Sequence, residues 1–411
     1  MKSQANLKRF IEESAFSDRF QRQMRFIAGP RQTGKTTIAR RQLEASGCSV
    51  FYFNWDKKEV RNRYRREPDF LAAEMLKMPG EKPCWVCFDE IHKRTGWKNT
   101  LKDFFDTYEK KVRFIITGSA RLDMFRKAGD SLAGRYFLFK LNPLMLAEVL
   151  RKSVSEVMPE EDAGAFLKKM VAGKQEKQKE FEQLLEFGGF PEPFLAADPL
   201  FSKKWKEDYF ERVVKEDLRD LSRIHDLEKV LDLIFLLPER IGSPLSVNSL
   251  REDLEVNFQT AKNYLKYLVL TYVLFEMPPY SQRSPSLIKK EKKVYFYNWT
   301  VAGSEASRFE NYVAIELKSR VDLWNDTLQD SYGLFYVRTR DGLESDFLIA
   351  RNSKPWLLFE AKLSDTGIAR HHYHHSQLLH HIPFIQIVKS SGVLKVAEKN
   401  FYTVSAARFF G

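Results

Sequence analysis

The stretch Gly29-Pro30-Arg31-Gln32-Thr33-Gly34-Lys35-Thr36 has the residue types and spacing to hold a chain of phosphates. Its glycines let backbone N–H groups turn inward and approach phosphate oxygens closely. A helix expected from Lys35 onward adds a favourable field for an anion at its N-terminus. Lys35 would reach the β- and γ-phosphates, Thr36 would hold Mg²⁺ through its hydroxyl, and Thr37 continues the nucleotide-facing set. The run Cys84-Trp85-Val86-Cys87-Phe88-Asp89-Glu90 supplies the acids such chemistry needs. Asp89, at the carboxyl end of a strand, would bind Mg²⁺, and Glu90 would orient and polarise the attacking water. Thr117 and Ser119, ending the next strand, either contact the γ-phosphate or form a small-residue turn.

A second constellation lies near the C-terminus. Asp346 precedes Glu360-Ala361-Lys362 on the following strand, and two-residue alternation puts Glu360 and Lys362 on one face. Asp346 and Glu360 would hold a divalent ion while Lys362 positions water or stabilises phosphate charge. Glu316, on the helix around Phe309–Arg320, is the candidate further ligand, with Gln377 nearby. The pattern resembles the PD-(D/E)xK endonuclease-like fold, with Ser345-Asp346 where that fold has proline-aspartate. Two readings stay open: an active metal-dependent nuclease, or a scaffold kept for contacts. The histidines of 371–381 pair at helical spacing, but no Cys or carboxylate pattern completes a tetrahedral metal set.

Strands alternating with helices over the first third imply a parallel, doubly wound α/β sheet. Its expected strands are 24–29, 48–55, 83–90, 111–120 and 135–141, and residues 1–22 read as a leading helix. The spacing divides the chain into a nucleotide domain (1–142), a helical lid (143–225), a winged helix-turn-helix (226–285) and a nuclease-like α/β domain (286–411). In the third segment Ala261, Tyr264, Leu265 and Leu268 share one helix face, and Lys262, Asn263 and Lys266 another. That basic face would meet DNA, the lysines on phosphates and Asn263 on a base edge, or would dock a protein partner. The basic stretch 57–66, with Tyr64 as a stacking ring, and Lys289–Lys293 would add to a polyanion-binding surface or remain solvated.

Composition narrows the classes. The 411 residues carry 67 Lys and Arg against 55 Asp and Glu, a net +12, which favours polyanionic partners. Three cysteines, Cys48, Cys84 and Cys87, argue against a disulfide framework and for a reducing, cytoplasmic setting, with Cys84 and Cys87 as packing residues. No apolar run of about 18 residues predicts a membrane span.

Together GPRQTGKTT, DEIHK, ITGSAR, SLAGR and GGFPEPF resemble the AAA-type ATPases of bacteria and archaea that carry a C-terminal domain of unknown function. The resemblance implies ATP and Mg²⁺ as cofactors, ATP hydrolysis coupled to conformational change, and a homo-oligomer. It further implies Arg135 as an arginine finger, with Arg121 as runner-up, and Pro191 (with Gly189) near the adenine. Ser119 stands where many relatives have asparagine.

Overall fold

A computed structural model describes residues 7–75, 83–118, 132–172, 176–218, 226–281, 291–398 and 400–411. The described residues divide into two units: those of Lys8–Asn142 with Leu270–Tyr272, and the remainder from Pro143 onward.

In the first unit the apolar run Met24–Ala28 (β1) is buried at every position, as is Cys84–Asp89 (β3). Strands covered on both faces read as continuous apolar runs. Together with Tyr52–Asn54 (β2), Val112–Thr117 (β4) and Tyr136–Lys140 (β5) they form a wholly parallel sheet in the order β2-β3-β4-β1-β5. The helix Trp97–Tyr108 covers it with Trp97, Leu101, Phe104, Phe105 and Tyr108, an apolar stripe at helical spacing. The α/β class expected from the alternation is what the chain adopts. The leading helix is shorter than its sequence reading: it spans Phe10–Ala15, and a separate 3₁₀ turn follows at Asp18–Phe20.

Two other expectations fail in this unit. Cys48 and Cys84 are joined in a disulfide, and only Cys87 is a free, buried thiol. Cys48 lies just before β2 and Cys84 starts β3. The parallel pairing of those strands brings together two thiols that 36 residues separate in the chain. Tyr64 is not an exposed stacking platform. It sits on the helix Lys58–Arg66 with its ring 5.2 Å from Trp55 and the Arg94 guanidinium 4.4 Å from its centroid. The basic stretch thus half-buries its aromatic ring against Trp55 and Arg94, while most of its long charged side chains stay outside.

The second unit takes in most of the described residues from Pro143 onward, where three segments (143–225, 226–285 and 286–411) are expected. The helices Leu227–Leu236, Val247–Asp253 and Phe258–Leu270 precede an antiparallel ribbon of Leu274–Met277 (β6) and Lys293–Phe296 (β7). A six-stranded mixed sheet follows. Its strands are Tyr332–Arg338 (β8), Glu344–Arg351 (β9), Lys354–Lys362 (β10), Phe384–Val388 (β11), Leu394–Glu398 (β12) and Phe401–Ser405 (β13), in the order β12-β13-β11-β10-β9-β8. The last two strands are not among those expected from the sequence. β12 is exposed along its whole length, so no period-two burial marks it.

The long helix Glu305–Thr327 packs against this sheet and against the preceding helical stretch. Trp324 donates its indole N–H to the Val157 carbonyl at 2.9 Å, and Trp299 donates to Leu185 at 3.2 Å. Gly189 has a packing reason: a Cβ there would lie 2.7 Å from the Trp299 ring and 2.8 Å from Pro143.

Candidate nucleotide site and carboxylate pocket

The phosphate loop runs from the end of β1 into the helix Lys35–Ala45. Gly29 is required there, because a Cβ would lie 2.2 Å from the Leu141 carbonyl oxygen. Gly34 caps the helix at φ +98°, a left-handed conformation that costs glycine little. Lys35 folds back over the loop and donates to the carbonyls of Gly29 at 3.0 Å and Pro30 at 2.6 Å. The Thr33 hydroxyl donates to the Pro30 carbonyl at 2.9 Å, and buried Arg9 holds the Thr33 carbonyl at 2.9 Å. Arg31 and Gln32 lie between these anchors, Gln32 at φ +60°.

Asp89 collects three hydroxyls. Thr36 donates to its Oδ2 at 3.0 Å, and Tyr52 and Thr117 also donate to its carboxylate. The β3–β4 register pairs Asp89 with Thr117, which places that hydroxyl. Thr117 therefore positions the acid in this structure. Glu90 follows at φ +58°, with a carboxylate oxygen 3.4 Å from His92 Nε2 and 3.9 Å from Lys93 Nζ. Burial, then the neighbouring Asp89 charge, lifts the Glu90 carboxyl to about 7. The Thr36 hydroxyl and the Asp89 carboxylate form a hard-oxygen pair that suits Mg²⁺ with water completing its shell.

Arg135, read as a finger for a neighbouring subunit, is held by Asp106 through hydrogen bonds of 2.7 and 2.9 Å. Ser119 and Arg121 lie outside the described residues. Pro191 opens the short helix Pro191–Ala196 in the second unit.

At the carboxylate pocket the structure brings Asp346, Glu360 and Lys362 together. The Asp346 N–H donates to Glu360 Oε2 at 3.1 Å, and the Ala361 N–H to Asp346 Oδ2 at 3.0 Å. Lys362 Nζ donates to Glu360 Oε1 at 2.6 Å. A register shift in the β8–β9 pairing, between Phe335 and Val337, falls opposite Asp346 and re-aims that strand.

Glu316 is not part of this cluster. It is buried with Arg320, and its Oε1 accepts from the Leu146 N–H at 2.7 Å and the Tyr312 hydroxyl at 3.0 Å. The helix contributes Glu310 instead, held by the Tyr295 hydroxyl at 2.8 Å. Six residues along a helix rotate a side chain by about 240°, so the two glutamates face different neighbours.

Lys293 also departs from its sequence reading. Expected on a basic outer surface, it is wholly buried, with Nζ 2.5 Å from Glu344, 3.6 Å from Glu310 and 3.6 Å from Asp346. Burial, then the Asp346 charge, pushes Glu310 up to about 7 and Glu360 up to about 8. Periodicity gave one usable hint that was missed: Lys293 sits within the apolar strand run KVYF, where a lysine must find a buried partner.

Two of the histidines are built into the core. His372 and His375 are buried on the helix Arg370–Leu378, and their Nδ1 atoms share the Ser345 hydroxyl at 2.7 and 2.8 Å. Burial, then the His371 charge, lowers them to about 3 and about 4, so both are neutral near pH 7. Gln377 points to solvent. Among the described residues no group of three or more His, Cys, Asp or Glu side chains is arranged to hold a metal ion.

Comparison with known proteins adds the class. Residues 21–150 match the AAA domain family, and residues 178–308 match a domain of unknown function, DUF8612. The parallel sheet and the loop geometry of the first unit agree with the match of residues 21–150 to that AAA domain family. The chain is similar to an uncharacterised protein of Methanocaldococcus jannaschii, 24% identical over 357 residues, covering 84% of this chain and 76% of that one. It is 23% identical over 348 residues to an uncharacterised protein of Mycobacterium tuberculosis, covering 83% and 70%. Among solved structures it aligns with the Orc1 protein of Aeropyrum pernix in complex with DNA (14% identity, 75% and 92% covered, TM-score 0.29). It also aligns with Cdc6p of Pyrobaculum aerophilum (13%, 76% and 97%, TM-score 0.28). Among the described residues no helix is long and apolar enough to cross a membrane.

Proposed function

We propose that the chain is a Mg²⁺-dependent ATPase whose nucleotide state is coupled to DNA or partner binding through its second unit. The observation that carries this is Thr36 meeting Asp89 beside a glycine-framed loop closed by Lys35. Lys35 exchanges the two loop carbonyls for oxygens of the β- and γ-phosphates. Thr36 and Asp89 would hold the ion, which would supply charge neutralisation on the phosphates. Tyr52 and Thr117 keep the Asp89 carboxylate in place. Glu90 orients the water for in-line attack and takes up its proton. A role for Arg135 across an oligomer interface requires its pair with Asp106 to open.

Calorimetry with Mg-ATP and steady-state phosphate release test the core of this reading; no heat of association at saturating nucleotide overturns it. Phosphate release below one turnover per minute with intact binding points to a slow switch instead, on the order of the intrinsic rates of unaided P-loop switches. The lifted Glu90 carboxyl gives a pH prediction. Glu90 must be ionised to accept a proton, so kcat/KM for ATP falls as pH drops through about 7, with unit slope. A profile flat from pH 6 to 8 removes Glu90 from the chemistry.

The DNA arm rests on the net charge of +12 and on the helix Phe258–Leu270, where Lys262 and Lys266 are exposed. Asn263 beside them accepts from Gln259 Nε2 at 2.9 Å. Lys262→Ala with Lys266→Ala is expected to weaken duplex binding for all sequences alike. It is also expected to lower the slope of log K against log salt by about 2. Unchanged affinity and slope in a fluorescence-anisotropy salt series would move DNA off this face.

A further inference from the structure

We propose that the Lys293 ammonium is the resident cation of the carboxylate pocket, and that the pocket as folded takes no divalent metal. The pocket has the acids of a metal-dependent phosphodiester-cleaving site: Glu310 from a helix, Glu344 and Asp346 from β9, and Glu360 from β10. In such a site the ion sits among carboxylate oxygens and neutralises charge on the phosphate. Here that place is taken. Lys293 Nζ lies within 4 Å of three of the four carboxylates and is wholly buried.

The lysine cannot easily leave. Its backbone belongs to β7, paired with Met277 of β6 on one side and bridged to Pro244 on the other. The Leu245 N–H also donates to the neighbouring Lys292 carbonyl at 2.9 Å. That pairing fixes the backbone from which the buried ammonium is aimed into the pocket, and any other placement of the side chain must displace packed neighbours.

The carboxylate oxygens are committed as well. Glu310 accepts from Tyr295, Asp346 from the Ala361 N–H, and Glu360 from both the Asp346 N–H and Lys362. A Mg²⁺ or Mn²⁺ ion wants several oxygens at about 2.0–2.2 Å and would stand beside a fixed positive charge. The expected second metal site is thus a charge-matched joint. It ties β7, which belongs to the ribbon after the three helices, to the six-stranded sheet. The nuclease reading loses the ion it needs, independently of whether the first unit hydrolyses ATP.

The test is Mn²⁺ uptake by the full chain without nucleotide, read as free Mn²⁺ by electron paramagnetic resonance. The titration runs to about 1 mM, the weak end of carboxylate cation sites. Uptake at the pocket is the part that Asp346→Asn removes. In the parent protein that part should be nil. In Lys293→Met it should rise to about one equivalent, lost again when Asp346→Asn is added. Lys293→Gln, which keeps a polar tip without the charge, should gain the same equivalent and serves if the Met variant folds poorly. Asp346-dependent uptake by the parent protein overturns the proposal directly and needs no Lys293 variant. No uptake by either folded Lys293 variant overturns it too, because the ammonium would then not be what keeps the ion out.

Discussion

Lys35→Ala is expected to lower the ATP turnover number by at least 10²- to 10³-fold, about 3–4 kcal/mol of transition-state stabilisation. Phosphoryl transfer leaves the protein little to do beyond positioning and charge stabilisation, and the Lys35 ammonium lies over the phosphate loop, on the Gly29 and Pro30 carbonyls. The fold should survive. The two carbonyls that Lys35 now satisfies are buried, so the cost to stability is about 1–3 kcal/mol, which a domain of this size tolerates. Thermal unfolding measured beside phosphate release separates the two effects. Glu90→Gln is the companion variant. It preserves shape, so nucleotide binding should persist while turnover falls by about 10²- to 10⁴-fold. Parental turnover in Lys35→Ala would remove the loop from the chemistry. Parental turnover in Glu90→Gln would leave the loop and reassign the water-orienting acid.

Glu316→Ala is expected to destabilise the second unit by about 3–5 kcal/mol, because it leaves the Arg320 charge buried without its counter-ion. Both side chains are about 1% exposed. Arg320 also donates to the Phe410 carbonyl at 3.1 Å and lies 4.8 Å from that ring, while Glu316 caps the Leu146 N–H. The pair therefore joins the long helix to the chain end and to the start of the helical stretch. For a unit of this size the loss shifts the unfolding midpoint by about 10 °C. Glu316→Ala with Arg320→Met should recover much of the loss, since two matched apolar groups replace a broken pair. Urea or thermal unfolding of the three variants decides it. A Glu316→Ala protein as stable as the parent would show that the pair is not the joint described here. A metal-ligand role for Glu316 predicts the opposite pattern, with stability kept and cation binding lost.

How much of this was legible in the chain differs by site. The phosphate loop lies within eight consecutive residues, and its chemistry depends on backbone turns that glycine spacing dictates locally. The acids at 89 and 90 were readable because an apolar run ending in two carboxylates marks the exposed end of a buried strand. The pairing of Asp346 with Glu360 and Lys362 also follows from neighbouring strands and two-residue alternation. Glu316 failed as a ligand because residue type alone does not say which side of a two-sided helix meets which partner. Leu146, 170 positions earlier, claims that carboxylate.

By itself, then, the sequence determined what short-range geometry controls: a strand, a glycine turn and a helix that present amides, a lysine and a hydroxyl toward one point. Tertiary structure decided the matters of charge and partnership. It chose Glu310 over Glu316, buried Lys293 among carboxylates from another segment, paired Cys48 with Cys84, and turned Tyr64 inward. The physical reason is range. Backbone conformation is set by residues a few positions apart, whereas a buried charge is tolerated only beside the opposite charge that the completed fold delivers.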